Sequence, residues 1–348
     1  LHGFYEAFHK YLISGLSHDE FADLYSQTVA YGLFAARTRA EGDFNRKLAY
    51  DNIPHTIGIL RDVFKFVSLG DLPKQMEWII DDISEVLAVT DVKKILHRYF
   101  HEGKGKDPII HFYETFLTEY DPRTRERRGV YYTPEPVVSY IVRSVHNILK
   151  ERFNRADGLA TETVTVLDPA AGTLTFLAEA ASLAVREFSD KYGKKGREHF
   201  IRDHILKNFF AFELMMAPYA IGHIKMSFLL EELGYRLPED ERCKLYLTNT
   251  LDMKELEQTP LPGMSSLSEE SHLAGKVKKE QPILAIIGNP PYSGHSTNVY
   301  DEVKAYYEVD GKPLGEKNPK WLQDDYVKFI RFAQWKIDQA GEGILGFI

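Results

Sequence analysis

The chain of 348 residues holds a single cysteine, Cys243. One thiol forms no intramolecular disulfide and no thiolate metal cluster. It follows a polar run and reads as a structural, inert residue, and so sparse a use of cysteine fits a reducing cytoplasm. No apolar run approaches the ~20 residues that cross a bilayer, so no membrane partner is expected. Positive charge is not in excess: 43 Lys and Arg against 51 Asp and Glu give a formal net charge of −8. This argues against a wholly basic surface that coats nucleic acid, and leaves local basic patches for any such contact. The chain is read as holding no Gly-Lys followed by Ser or Thr and no Gly-x-Gly-x-x-Gly. A nucleotide-hydrolysing phosphate loop and a hydride-transferring dehydrogenase are both disfavoured. His97, His101 and His111 lack metal-ligand spacing, and no metal is implied.

What is present is ordinary globular composition, 44% hydrophobic and 27% charged, over a length that suits roughly two domains. The chain starts at Leu1 and stops within an apolar run at Ile348, as expected of a piece of a longer protein. Residues 1 to about 120 carry helical patterns. Ser17 and Glu20 form a capping box before Phe21, Leu24 and Tyr25. Leu60, Val63, Phe64 and Val67 form one stripe, and Met76, Ile79, Ile80, Ile83, Val86 and Leu87 another; both read as bundle core. Asp107 and Pro108 open a further helix over 109–120. An arginine-rich polar stretch, 121–128, marks a boundary between an all-α part, 1–125, and a second domain, 126–348.

In that second domain, Thr133 caps a helix, Pro134 suits its first turn, and Val137, Val138, Ile141 and Ile148 face the core. Strand and helix then alternate, which predicts an α/β fold with a doubly wound, mostly parallel sheet. Strands are expected at 163–167, 208–212, 244–248, 283–287 and 344–348. Residues 254–281 show little periodicity and read as a long mobile insertion, with Lys276, Lys278 and Lys279 as a solvated run. Val327, Ile330 and Phe332 mark a last helix against the sheet.

Chemistry gathers where the strands end. The first runs into Asp168-Pro169-Ala170-Ala171-Gly172-Thr173-Leu174-Thr175-Phe176, a tight small-residue turn at a helix start. Free backbone N–H groups and the positive end of the helix dipole suit a carboxylate or a phosphate there. The second ends at Glu213, placed to accept two ribose hydroxyls or to cap the next helix. The third leads to Asn249 and Asp252. The fourth ends abruptly at Gly288, followed by Asn289, Pro290, Pro291 and Tyr292. The prolines cannot continue a ladder, so this is a rigid loop at a strand's carboxyl end. A planar, amino-bearing base fits it: the amine donates to the Asn289 amide oxygen and the Pro290 carbonyl, and the base stacks on the Tyr292 ring. Four such positions on one edge of a parallel sheet mark a ligand site.

The Asn-Pro-Pro-Tyr stretch resembles the motif of S-adenosylmethionine-dependent amino-methyltransferases, above all DNA adenine-N6 methyltransferases. Asp168 to Phe176 is similar to their cofactor loop, although Leu174 stands where a second glycine is common and could crowd the cofactor. Cofactor loop before catalytic loop is the order of the gamma class. Tyr25 to Arg37 and His111 to Leu117 resemble the helical segment that precedes the methyltransferase in single-polypeptide, Type I-like (Type ISP) restriction-modification enzymes. The resemblance implies a helical coupler joined to a Rossmann-like methyltransferase that acts on a flipped-out adenine of double-stranded DNA, using S-adenosyl-L-methionine. It assigns catalysis to Asn289, Pro290, Pro291 and Tyr292. Cofactor binding falls to Tyr132, Thr133, Pro134, Asp168, Ala170, Gly172, Thr173, Phe176, Glu213, Asn249, Asp252 and Asn289. Nuclease, motor and target-recognition domains are expected on the same longer polypeptide. Methylation of RNA or of a protein glutamine is the alternative for this motif, and a non-catalytic coupler or scaffold is a second.

Overall fold

The computed structural model describes residues 2–92, 94–95, 133–253, 265–292, 298, 300–316 and 320–348. The boundary at 125/126, the helix over 109–120 and the arginine-rich stretch lie outside them.

Five strands form one sheet: β1 Val166–Asp168, β2 Phe209–Glu213, β3 Lys244–Leu247, β4 Ala285–Gly288 and β5 Ile344–Phe347. Their order is β3-β2-β1-β4-β5 and every pairing is parallel. β1 is shorter than the β-branched run suggested. The Thr165 hydroxyl donates to the Pro282 carbonyl at 2.9 Å and accepts the Leu284 N–H at 3.0 Å, standing in for the backbone ladder there.

Alternation along the strands sorts the core into two layers. Val166, Phe209, Ala211, Leu245, Leu247, Ala285, Ile287 and Ile344 belong to one buried cluster, with α5 Glu135–Arg152, α6 Thr175–Tyr192 and α7 Met216–Glu232. Leu167, Phe210, Phe212, Tyr246 and Ile286 belong to the other, with α8 Ser265–Lys279 and α9 Asp325–Ala340. The sheet is therefore doubly wound.

The amino-terminal helices are α1 His2–Tyr11, α2 His18–Arg39, α3 Gly58–Leu69 and α4 Lys74–Val89. The capping box forms: the Ser17 hydroxyl accepts the Glu20 N–H at 3.2 Å, and Glu20 accepts the Ser17 N–H at 3.0 Å. The α1–α3 core runs without a break into the first layer of the sheet. Tyr31 of α2 meets Ala217 and Ile221 of α7, and the Arg242 guanidinium donates to the Thr56 carbonyl at 3.0 Å.

Four expectations need correction. The α4 stripe is only half core: Ile80 is buried, whereas Ile79 and Val86 are exposed. On α5 the buried face is Val138, Val142, Val145 and Leu149, and Val137 and Ile148 are exposed. Thr133 does not cap that helix, because Pro134 occupies the cap position. Residues 265–279 of the supposed insertion form helix α8, which buries Ala274 and Val277 in the second layer of the sheet, Leu267 in the first cluster, and Lys278. The reading that no Gly-x-Gly-x-x-Gly occurs is also corrected: Gly341 to Gly346 spells it, but it closes α9 and enters β5, the reverse of a dinucleotide loop.

Candidate active site

Parallel pairing puts every carboxyl end on one rim, and the polar residues of the sequence motifs collect there. Asp168 ends β1 and is 1% exposed. Its Oδ1 accepts the Ala170 N–H at 3.1 Å, closing the first turn of the loop. Burial pushes its carboxyl up to about 8; the Ala170 N–H opposes this and neighbouring Glu213 adds to it. Gly288, the last residue of β4, lies so near that a Cβ on it would be 2.7 Å from Asp168 Oδ1.

The loop after Asp168 has two left-handed residues in three, Gly172 at φ +53° and Leu174 at φ +63°. This conformation costs an L residue about 1 kcal/mol or more, which favours glycine at such a position. Leu174 adopts it with its side chain fully buried, against Gly222 of α7. The crowding expected from Leu174 is thus corrected: its side chain belongs to the core, not the cradle. A Cβ on Gly172, by contrast, would meet nothing within 4 Å among the described residues, so the loop backbone borders open space among them.

Glu213, at the end of β2, holds this loop. Its Oε2 accepts the Gly172 N–H and its Oε1 the Met215 N–H, both at 2.7 Å. Burial pushes its carboxyl up to about 7, against the pull of those N–H groups. A carboxylate has about four lone-pair sites, so two bonds leave acceptor capacity for hydroxyl groups.

The Asn-Pro-Pro-Tyr loop follows β4. The Asn289 amide donates from Nδ2 to Thr133 Oγ1 at 3.2 Å, and its Oδ1 accepts the Tyr292 hydroxyl at 3.0 Å. The residue expected to cap α5 therefore meets the expected catalytic residue, 156 positions away. Tyr292 is 43% exposed and stacks on Tyr326 of α9, with centroids 5.2 Å apart and planes at 27°. Pro290 is buried and Pro291 half-buried.

Asn249 lies farther along the rim, where its Oδ1 accepts the Leu251 N–H at 3.1 Å. The intervening Thr250, 4% exposed, donates to the Pro169 carbonyl at 2.5 Å and ties this loop to the first. Asp252 follows, half-buried. Ala170 and Thr173 are half-buried in the first loop, and Pro134 is exposed. Phe176 is different: at 2% exposure it packs in the core with α6. Tyr132 lies outside the described residues.

Tyr326, which backs Tyr292, comes from the last helix expected against the sheet. One participant escaped the motif reading, Lys278. It is 3% exposed, and its ammonium reaches three oxygens of residues 248–252. The expectation of a solvated lysine run is wrong at this position. The signal was available: Lys278 continues the helical spacing of Leu267, Glu270 and Ala274.

Buried carboxyls, an open glycine loop and an amide–phenol pair on one rim suit a nucleoside-bearing ligand beside an amine-bearing base. A profile of the N-6 DNA methylase family matches residues 104–328. The chain belongs to the N-6 DNA methylase family. No curated protein matches the chain. Among solved structures, this family member is similar to a nuclease-deletion mutant of the Type ISP restriction-modification enzyme LlaGI in complex with a DNA substrate mimic. Identity is 22% over 99% of this chain and 26% of that one, with a TM-score of 0.70. Similar figures hold for the ATP-dependent Type ISP enzyme LlaBIII bound to DNA, at 21% identity, 99% and 22% coverage and TM-score 0.70. A DrdV–DNA complex gives 21%, 99% and 32%, and 0.69. These likenesses show a shared fold, and this methylase chain spans 22% to 32% of those polypeptides.

Proposed function

We propose that the chain transfers a methyl group from S-adenosyl-L-methionine to the N6 amine of an adenine flipped out of double-stranded DNA. It does so as the methyltransferase part, residues 126–348, of a restriction-modification polypeptide whose residues 1–125 form a helical coupler. Nuclease, motor and target-recognition parts belong to the same longer protein, and its place is the cytoplasm. The observation that carries the reading is the meeting of Thr133, Asn289 and Tyr292 beside the Asp168–Glu213 rim. Family membership and the shared fold of the Type ISP enzymes support it.

The residues fit the cofactor. Among the described residues Gly172 borders open space, Glu213 beside it keeps acceptor capacity, and the enclosed Asp168 holds the first turn of the loop. Thr133, Pro134, Asp168, Ala170, Gly172, Thr173 and Glu213 would hold the amino-acid and ribose portions, and Asn249 and Asp252 the adenine; Tyr132 and Phe176 complete the family's set. When bound, the cofactor supplies an electrophilic methyl on a sulfonium. The chain's own task is to make a weak nucleophile competent. The N6 lone pair is delocalised into the purine, and two acceptors on its hydrogens draw the nitrogen toward tetrahedral geometry. Asn289 Oδ1 takes one N–H: a carbonyl oxygen has two lone pairs, so the bond from Tyr292 leaves the second. The Pro290 carbonyl takes the other, and Pro291 keeps the loop rigid. Tyr292, backed on one face by Tyr326, offers its other face to the base. Alignment of amine and methyl supplies much of the rate.

Tritium transfer from methyl-labelled cofactor, with duplex DNA, RNA and protein offered together, tests the reading. Label in duplex DNA is expected. Label in RNA or on a glutamine amide would move the assignment to another amino-methyltransferase, and absence of cofactor binding by the folded chain would make it a scaffold.

A further inference from the structure

Among the described residues strand β3 lies at an edge of the sheet, so one row of its backbone groups lacks a strand partner there. Helix α8 covers that edge with two polar side chains. Glu270, 3% exposed, accepts the Leu247 N–H at 3.0 Å, at the last residue of β3. About two turns later comes Lys278. Its Nζ donates to Thr248 Oγ1 at 2.9 Å, to the Asn249 carbonyl at 2.7 Å and to the Asp252 carbonyl at 2.9 Å. The Phe212 ring lies on the remaining side, its centroid 5.5 Å from Nζ. Lys336 of α9, 1% exposed, donates to the Lys278 carbonyl at 2.6 Å and holds that end of the helix.

A buried ammonium is expensive unless all its donors are met, and an apolar residue would fill the same space at lower cost. Three N–H donors matched to three oxygens of one five-residue loop therefore call for a reason beyond packing. That loop carries Asn249 and Asp252, and through Thr250 it grips Pro169 of the glycine loop. We infer that Lys278 is the positioning residue of loop 248–252, fixing it in the conformation in which Asn249 and Asp252 receive the cofactor's adenine. The inference rests on the cofactor reading above and adds the residue that enforces it. Lys278 touches neither reactant; it acts through the loop.

The test is equilibrium dialysis of the full chain with S-adenosyl-L-methionine, alongside KM for the cofactor and kcat on duplex DNA. Lys278→Met keeps the length and apolar stem and removes all three donors. It should weaken cofactor affinity and raise KM by about tenfold or more, with kcat at saturating cofactor within about threefold of the parent, since three buried hydrogen bonds are lost. Thr248→Val removes one acceptor with little change of shape, and should raise Kd about threefold even if Lys278→Met fails to fold. Gly32→Ala, a destabilised variant at the contact of α2 with Phe64, should bind cofactor as the parent does. Unchanged Kd in Thr248→Val, or a fall in kcat with affinity intact in Lys278→Met, would overturn the inference and leave the site reading standing. Failure of the parent chain itself to bind would remove both.

Discussion

Gly288 has no room for a side chain. A Cβ there would lie 2.7 Å from Asp168 Oδ1, and that carboxyl is fully enclosed. Gly288→Ala should cost about 1–3 kcal/mol of stability, as overpacking in a tight core does. Urea denaturation checks it; a cost below about 0.5 kcal/mol would mean that the loop after Asp168 shifts easily. Glu213 gives a second expectation. Its carboxyl is raised to about 7, so the folded chain keeps a proton that the unfolded chain releases near pH 4.3. Stability from this group is full below that lower value and is lost as pH rises through about 7. Between pH 5 and 7 the parent should therefore lose more stability than Glu213→Gln, whichever is more stable in absolute terms. Equal slopes would contradict the burial ascribed to this carboxyl. Asp168, Glu213 and Asn289 were legible in the sequence because each follows an apolar run that stops abruptly. Leu174 was not, because a residue name does not reveal a left-handed backbone. Lys278 was hidden in a lysine-rich segment whose charge suggested water.

At the scale of elements, strands were read to within a few residues, and helices with strong stripes were found. Helix α8 was missed because serines and glutamates dilute its apolar face to Leu267, Ala274 and Val277. The register of exposed and buried positions on α4 and α5 depends on what each helix packs against, which its own periodicity does not record. The approach of α2 to α3 shows how specific such packing is. Gly32 faces Phe64, and a Cβ would fall 2.6 Å from the ring's Cζ and closer still to Cε2. Phe64 is fully buried and cannot swing away. Gly32→Ala should cost about 1–3 kcal/mol in thermal or chemical unfolding, outweighing the roughly 1 kcal/mol gained in helix propensity. A stabilised variant would show that the two helices separate freely.

At the scale of the whole molecule, the alternation of strands and helices made the parallel sheet legible, and its carboxyl rim followed from that. The seating of the amino-terminal helices did not: α2 against α7, Thr56 against Arg242 and one core through both parts are choices among apolar faces. The measurement that bears most directly on the account is nucleoside analysis of duplex DNA after incubation with the protein and S-adenosyl-L-methionine. N6-methyladenine should accumulate with the parent protein. It should fall at least about a hundredfold with Asn289→Ala, as when a transition-state hydrogen bond is lost, while that variant still binds cofactor. N4-methylcytosine as the product, or undiminished N6-methyladenine from Asn289→Ala, would contradict it.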